Sequence, residues 1–506
     1  MRRIIYVLGI LWVAVLVGCE TTPAVKPSTT TDSGHKNVNE WIRSQLEGWY
    51  YWNDVVKATP PVSGELAYDE YLERTILSLP WASVQDTSHK ESPPTIDGEW
   101  NETFTARLDG GIYSYIERTP VSTRGTRAAS ESMEVTFGFG FQVVRLVDGR
   151  GVFTGRYMFL VSWVRDGSPA YEAGLRRGVW ITKYDGAEIT YDRYVDFWNR
   201  MYTSESGAKL SFSVDTNNDR IDDDAMSLTA VEMKVSPILF HDVIPTAGGN
   251  KVAYLFYNGF ENGENGEFDT ELRNVFGDFK SRGATHLVLD LRYNPGGYVS
   301  SCRMLTNLAA RVSTSDVFIQ MVRNKDIRKV YNVDNPQVVK FSGESNSLGF
   351  DKVYVLATIR SASASEMVIS SIRGVLGDGA VVHIGDTTGG KNVGMDIRET
   401  TIDGYDYTMW PITFKILNAV GFTDYAGGLK PDYRINELRD VLTLGGVLHQ
   451  LGDPDERLLR AALTLIDGGR VYSDSSTRVS GAAALGEPVS TPPDPRRGGA
   501  KYIPFQ

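Results

Sequence analysis

Apolar residues change their spacing twice along the chain. From Asn39 to Asp54, Trp41, Ile42, Leu46, Trp49, Tyr50 and Trp52 recur at roughly helical intervals. Tyr68, Tyr71, Leu72, Ile76 and Leu79 do so again after Pro60-Pro61. This predicts a small aromatic-rich helical domain over 37–130, whose Trp and Tyr side chains form its core. From Glu131 to Ser236 the spacing shortens to the alternation of strands: Phe137–Phe141, Tyr157–Ser162, Val179–Lys183 and Leu210–Val214. Beyond Pro237 strand and helix patterns alternate. Strands are expected at Val252–Phe256, Leu287–Leu291, Val353–Ala357 and Ala380–Ile384, and helices at Phe268–Phe279 and after Ser365. That order predicts an α/β domain with a parallel or mixed sheet over 237–470. The Ser-, Gly- and Pro-rich stretch 471–506 has few apolar residues and is expected to be without order. The fold class is therefore multidomain α/β.

Gly167-Ser-Pro-Ala-Tyr-Glu-Ala-Gly174 reads as a turn, a short helix with Pro169 in its first turn, and a glycine stop. Asp185-Gly186 reads as a tight hairpin turn. With Phe137-Gly138-Phe139-Gly140 upstream, residues 131–236 resemble a PDZ domain. The four-residue loop falls where that family binds a terminal carboxylate. Glycine suits such a loop because successive backbone N–H groups must converge on the anion with no Cβ in the way. The acidic run from Asp215 to Asp224 fails the calcium-loop template, with Arg220 at the glycine position and Met226 at the glutamate position, and reads as a solvated hairpin tip.

Charge and cysteine content then narrow the setting. The 506 residues hold 52 Lys and Arg against 63 Asp and Glu, a net charge of −11 with no basic cluster, which argues against nucleic acid as a partner. Two cysteines are too few for a disulfide framework or a cysteine zinc site. Met1-Arg2-Arg3 and the apolar run Ile4–Val17 have the form of an export signal, shorter than the ~20 residues of a membrane span. Leu16-Val17-Gly18-Cys19 resembles the bacterial lipobox. The expectation is a signal peptide over 1–18, lipidation of Cys19 as the membrane anchor, and a flexible tether to residue 36, in a bacterial envelope on the periplasmic or the outer face.

Three segments fall at strand ends, where α/β sheets place function. Asp290-Leu-Arg-Tyr-Asn-Pro-Gly-Gly297 exposes glycine amides. Ile359-Arg-Ser-Ala-Ser-Ala-Ser-Glu-Met367 runs through serines into a helix N-terminus, a setting for a negatively charged oxygen. Gly385-Asp-Thr-Thr-Gly-Gly-Lys391 brings a lysine through two glycines. A serine hydroxyl becomes a nucleophile when a positioned base takes its proton, and a desolvated lysine can be that base. The 28 residues from 363 to 391 fit one helix and one strand. Each segment alone is an ordinary turn; their conjunction carries the chemistry.

These segments, below a PDZ-like region and ending near Gly427-Gly-Leu-Lys-Pro-Asp432, are similar to the carboxyl-terminal processing peptidases, the tail-specific serine proteases. The resemblance implies a catalytic domain of ClpP/crotonase type, Ser363 as nucleophile and Lys391 as general base. It also implies an oxyanion hole from the Gly297 and Ala364 amides, no metal and no cofactor. The Phe137, Gly138, Phe139 and Gly140 loop would hold the C-terminus of a protein or peptide substrate with a free, apolar end. Two departures stand out. The interval between serine and lysine is longer than usual, which points to a longer turn around Gly374–Gly379. Met395 stands where the family commonly has a glutamine that orients the lysine, and Asp396 is a weaker candidate for that role. Met395 is the feature that favours the rival reading, a catalytically silent PDZ-containing binding or scaffold lipoprotein. His286 and His383, in apolar strand contexts, read as structural.

Overall fold

The computed structural model describes residues 36–79, 113–121, 132–332, 336–442, 445–474, 486–489 and 501–502. Residues 1–35, which include the expected signal peptide, Cys19 and most of the expected tether, lie outside them. Helices α1 (Lys36–Trp49), α2 (Asn53–Ala58) and α3 (Tyr68–Leu77) come first, then strand β1 (Tyr115–Pro120). A β-rich region follows: β2 (Met133–Thr136), β3 (Phe139–Val147), β4 (Phe153–Val164), the short α4 (Pro169–Glu172), β5 (Trp180–Tyr184) and β6 (Ala187–Glu188), then α5 (Tyr191–Thr203), β7 (Lys209–Asp215), β8 (Asp224–Thr229) and β9 (Val231–Lys234).

The α/β part opens with β10 (Ile238–Pro245), β11 (Lys251–Tyr257), α6 (Glu267–Ser281), β12 (His286–Asp290), α7 (Val299–Ala309), β13 (Val317–Arg323), α8 (Lys325–Tyr331) and β14 (Gln337–Lys340). It continues through β15 (Val353–Ala357), α9 (Ala364–Leu376), β16 (Val381–Gly385), β17 (Val393–Asp396), β18 (Arg398–Ile402), β19 (Tyr405–Trp410), β20 (Ile412–Leu417), β21 (Tyr433–Arg434) and α10 (Arg457–Ile466). Two short strands, β22 (Gly486–Val489) and β23 (Lys501–Tyr502), lie in the tail.

The central sheet has the order β10-β11-β12-β15-β16-β21, antiparallel at its first pair and parallel thereafter. Its inner strands β11, β12, β15 and β16 are buried on both faces. Leu287, Leu289, Val353 and Val355 pack under α6, α7 and α9, while Tyr254, Val288 and Leu356 pack against α10. Near-continuous apolar runs such as Val353–Ala357 are the signature of such a two-sided strand. The three chemistry-bearing segments leave the C-terminal ends of β12, β15 and β16, three neighbours in this sheet. Past α9 the chain turns at Gly377, in the left-handed region at φ 89°, and re-enters the sheet at Val381.

The N-terminal helices pack on strands of the α/β part. Ile42, Leu46, Tyr50 and Leu72 share one core with Val393, Met395, Met409 and Ile412 of β17–β20, and β1 pairs antiparallel with β19. In the tail, β22 pairs with β3 and β23 with β17. The β-rich region has an aromatic core in which Phe141, Phe159 and Phe197 meet at 4.5–5.2 Å between ring centroids. Its other sheet face is covered by Leu438, Val441, Leu442 and Leu448, from the segment that precedes α10. The acidic hairpin tip is partly buried. Asp215 exposes nothing and accepts the backbone N–H groups of Asn217, Asn218, Asp219 and Arg220, while Asn218 Nδ2–H donates to the carbonyls of Val441 and Gly446.

Candidate active site

The serine-rich turn separates its three hydroxyls by role. Ser361 Oγ donates to the Leu291 carbonyl (2.7 Å), and Ser365 Oγ to the Asn294 carbonyl (2.8 Å). The Ala362 amide also reaches Asn294 O at 3.2 Å. The outer serines therefore lash this turn to the Asn-Pro-Gly-Gly turn. Ser363, between them, caps α9 with φ 58°, a left-handed conformation that side-chain-bearing residues seldom adopt. Strain of that kind persists only where neighbours over-determine the backbone, and here the neighbour is Glu366.

Glu366 is fully buried and joins both candidate loops. Its Oε2 accepts the Ser363 amide and the Lys391 amide, each at 2.8 Å. Its Oε1 accepts the Gly390 amide at 2.6 Å and the Thr388 hydroxyl. Burial pushes this carboxyl above its ordinary value, opposed by those four hydrogen bonds. The sequence reading missed this residue. Its signal was the Ser-x-x-Glu spacing of a capping box, in which the third helical residue turns back to the cap amide. The two glycines make the approach possible: a Cβ on Gly389 would lie 2.6 Å from Ala362 Cβ, and one on Gly390 2.4 Å from the Ala426 carbonyl.

Lys391 is 4% exposed. Its Nζ lies 3.9 Å from Met395 Sδ and 5.0 Å from the centroid of the Tyr113 ring. Met395 thus takes the place beside the amine that the family resemblance gives to glutamine. Asp396 does not serve there, because it pairs with Arg323 and accepts from the Thr413 hydroxyl at 2.6 Å. Among the described residues, neither the Ala364 nor the Gly297 N–H meets a protein acceptor, whereas the adjacent Gly296 amide is held by Asn294 Oδ1 at 2.9 Å. Gly296 and Gly297 have φ of 116° and 138°. A Cβ on Gly296 would stand 2.8 Å from Ser363 Cβ, so the glycine turn lies directly against the serine.

Below this layer sits an ionic cluster that no motif announced. Arg292 is fully buried and donates to Asp290, Glu437 and Glu456 at 2.6–3.0 Å. Tyr293 Oη donates to Glu437 at 2.9 Å and accepts from Arg177 Nη1 at 2.8 Å, so an arginine of the β-rich region ends in the cluster. Gln142 of β3 donates to Glu437 at 2.6 Å. His383 is buried and held near 4 by that burial, with Nε2 3.4 Å from the Ala357 carbonyl; His286 touches the Thr285 hydroxyl. Both have structural surroundings. Cys302 is free and buried, and its thiol donates to the Ala364 carbonyl at 3.2 Å.

The Phe137–Gly140 loop lies apart from this site, in the β-rich region. Phe137 and Phe139 point into the aromatic core. Gly138, at φ 86°, presses against Ser168, and its amide already donates to Thr136 Oγ1 at 3.0 Å. The Gly138 amide is therefore already engaged within the loop.

Residues 251–435 match the family model "Peptidase family S41", and residues 37–78 match "Peptidase S41 N-terminal domain". A "Probable CtpA-like serine protease" of Staphylococcus aureus (strain N315) is 26% identical over 272 residues, 53% of this chain and 48% of the relative. One of the same description from Staphylococcus epidermidis is 24% identical over 271 residues, 53% of this chain and 49% of the relative. The chain thus spans about half the length of the curated relatives it matches. In fold it is similar to a crystal structure of a Bacteroides fragilis protein assigned as an S41 protease, with a TM-score of 0.59 and 24% identity, covering 85% of this chain and 97% of that one. The similarity to peptidase family S41 thus covers residues 251–435, and the similarity to that family's N-terminal domain covers residues 37–78.

Proposed function

We propose that this chain is a serine endopeptidase in which Lys391 takes the proton of Ser363 as its hydroxyl attacks a peptide carbonyl. The Gly297 and Ala364 amides would hold the resulting oxyanion; its collapse would break the peptide C–N bond, Lys391 returning the proton to the leaving amine, and water, deprotonated in turn by Lys391, would hydrolyse the acyl-enzyme. The observation that carries this reading is the convergence on Glu366. One buried carboxylate binds the backbone amides of both Ser363 and Lys391, which fixes the two loops as a unit. The unclaimed amides of Gly297 and Ala364 supply donors whose protein acceptors are absent among the described residues.

Substrates would be polypeptides with free, apolar C-termini, added as a strand along β3 of the PDZ-like region with their ends toward Phe137–Gly140. Cys19 would carry the lipid that keeps the protein on a bacterial envelope membrane; this part rests on the sequence alone. The test compares the unaltered chain with Ser363→Ala and Lys391→Ala on an unfolded substrate with an apolar end. Each substitution should cost about a thousandfold or more in kcat. Turnover by Ser363→Ala above a few per cent of the unaltered chain would overturn the assignment and favour the scaffold reading.

A further inference from the structure

The tail strands occupy two open sheet edges, and their placement has a direction. Without β22, β3 would be the edge of its sheet; without β23, β17 would be the edge of a sheet ordered β14-β13-β20-β17. An edge strand presents unpaired N–H and C=O groups to any extended peptide. Gly486 stands opposite Leu146 and Val489 opposite Val143, antiparallel, so the tail runs toward the Phe137–Gly140 loop. A substrate C-terminus docking there as proposed above would run the same way. The contact is close: a Cβ on Gly486 would lie 2.3 Å from the Arg145 carbonyl and 2.7 Å from Val144 Cγ1.

The second contact lies at the chemistry. Lys501 pairs with Met395 and Tyr502 with Asp396, in parallel, on the strand that begins two residues after Lys391. β23 also lies beside α7, the helix that follows the Gly296-Gly297 turn. Ser363 exposes no surface and Lys391 4%, so a polypeptide reaches them only by displacing what covers them.

We propose that the chain's own C-terminal tail is an internal pseudo-substrate: residues 486–489 hold the β3 edge and residues 501–502 the β17 edge, and an incoming polypeptide must displace both. The proposal rests on the peptidase reading for its consequence, but its test does not need turnover. A tethered segment acts at an effective concentration of about 1 mM, enough to compete with a free peptide of micromolar affinity.

The probe is a fluorescein-labelled synthetic peptide of residues 483–506, followed by anisotropy on Ser363→Ala protein so that it is not consumed. The chain ending at Asp474 should bind it at least about tenfold more tightly than the full-length chain. Gly486→Val in the full-length chain, which blocks β22 without shortening anything, should improve binding at least about threefold, and it decides alone if the shortened protein does not fold. Equal affinity for the full-length chain and these variants overturns the proposal. Failure of the peptidase reading looks different: the peptide binds in the predicted order, yet the unaltered protein hydrolyses nothing. Conversely, hydrolysis at one rate with and without the tail keeps the peptidase and removes the pseudo-substrate.

Discussion

Two glutamates, Glu366 and Glu456, are almost equally inaccessible, at 0% and 1% exposure, and both fasten a helix N-terminus. Glu456 caps α10 through the Leu458 and Leu459 amides; Glu366 reaches back from the first turn of α9 to Ser363. Their acidities nevertheless move in opposite directions. Burial raises both, but at Glu456 the Arg292 guanidinium, then Arg177, overrides it and holds the carboxyl down to about 2. The hydrogen bonds at Glu366 come from neutral donors, three amides and a hydroxyl, and burial wins. Location alone therefore does not set the behaviour of a buried carboxylate: cationic partners outweigh burial at Glu456, whereas burial outweighs the same Arg292 at Asp290 and the neutral donors at Glu366. The contrast separates two layers of the molecule: an arginine-centred base that locks the Arg292 turn to the β-rich region, and a neutral-donor clamp that holds the candidate catalytic loops.

The largest effect should come from breaking the arginine-centred layer. Arg292→Met removes the cation shared by Asp290, Glu437 and Glu456 and leaves three buried carboxylates with Arg177 as the remaining guanidinium among the described contacts. Deleting one partner of such a set costs about 3–5 kcal/mol, because the remaining charges stay buried. Urea unfolding measures it. A loss below about 1 kcal/mol would mean that the cluster is solvated and that its contrast with Glu366 is false.

A sharper test uses the sign of the pH dependence. Glu456 is more acidic folded than unfolded, so its contribution is fully present above about 4.5 and lost as pH falls toward about 2, up to about 3 kcal/mol in all. Glu366 is less acidic folded, so the native state binds its proton more readily, and its contribution becomes more favourable as pH falls through the folded value. The unfolding free energy of the unaltered chain minus that of Glu456→Gln should decrease on acidification, whereas the same difference for Glu366→Gln should increase. Slopes of one sign would collapse the distinction between the layers.

The same two glutamates show what a sequence can carry. Ser363, Lys391 and the glycine turn were legible because each lies within a short segment whose spacing serves one strand end, and the central strands were legible as continuous apolar runs. The Arg292 cluster was not. Its members come from positions 177, 290, 292, 437 and 456, and only the folded chain brings them together. The N-terminal helices were recognisable as amphipathic, yet periodicity reports that a face is apolar and not what covers it; the cover is β17–β20, more than 300 residues away in sequence. Composition is equally silent on the pairing of the two tail strands. Backbone pairing on an open edge needs no apolar side chain, so a Ser- and Gly-rich segment can still form β22.

The smallest effect should come from Met395, and it asks whether the amine of Lys391 depends on one acceptor as its backbone depends on Glu366. A thioether at 3.9 Å from Nζ is a weak acceptor, so its main contribution is volume beside the amine. Met395→Leu keeps that volume and removes the sulfur, and such swaps usually cost less than about 1.5 kcal/mol in stability. If volume suffices, kcat/KM on the unfolded substrate should fall by no more than about threefold, which corresponds to about 0.7 kcal/mol. A loss beyond about tenfold, with an unchanged unfolding free energy, would instead make the sulfur a required partner of the amine. The clamp of Glu366 on the Lys391 backbone would then have a counterpart at the end of that lysine's side chain, and the candidate catalytic layer would depend on specific acceptors throughout, as the arginine-centred layer depends on Arg292.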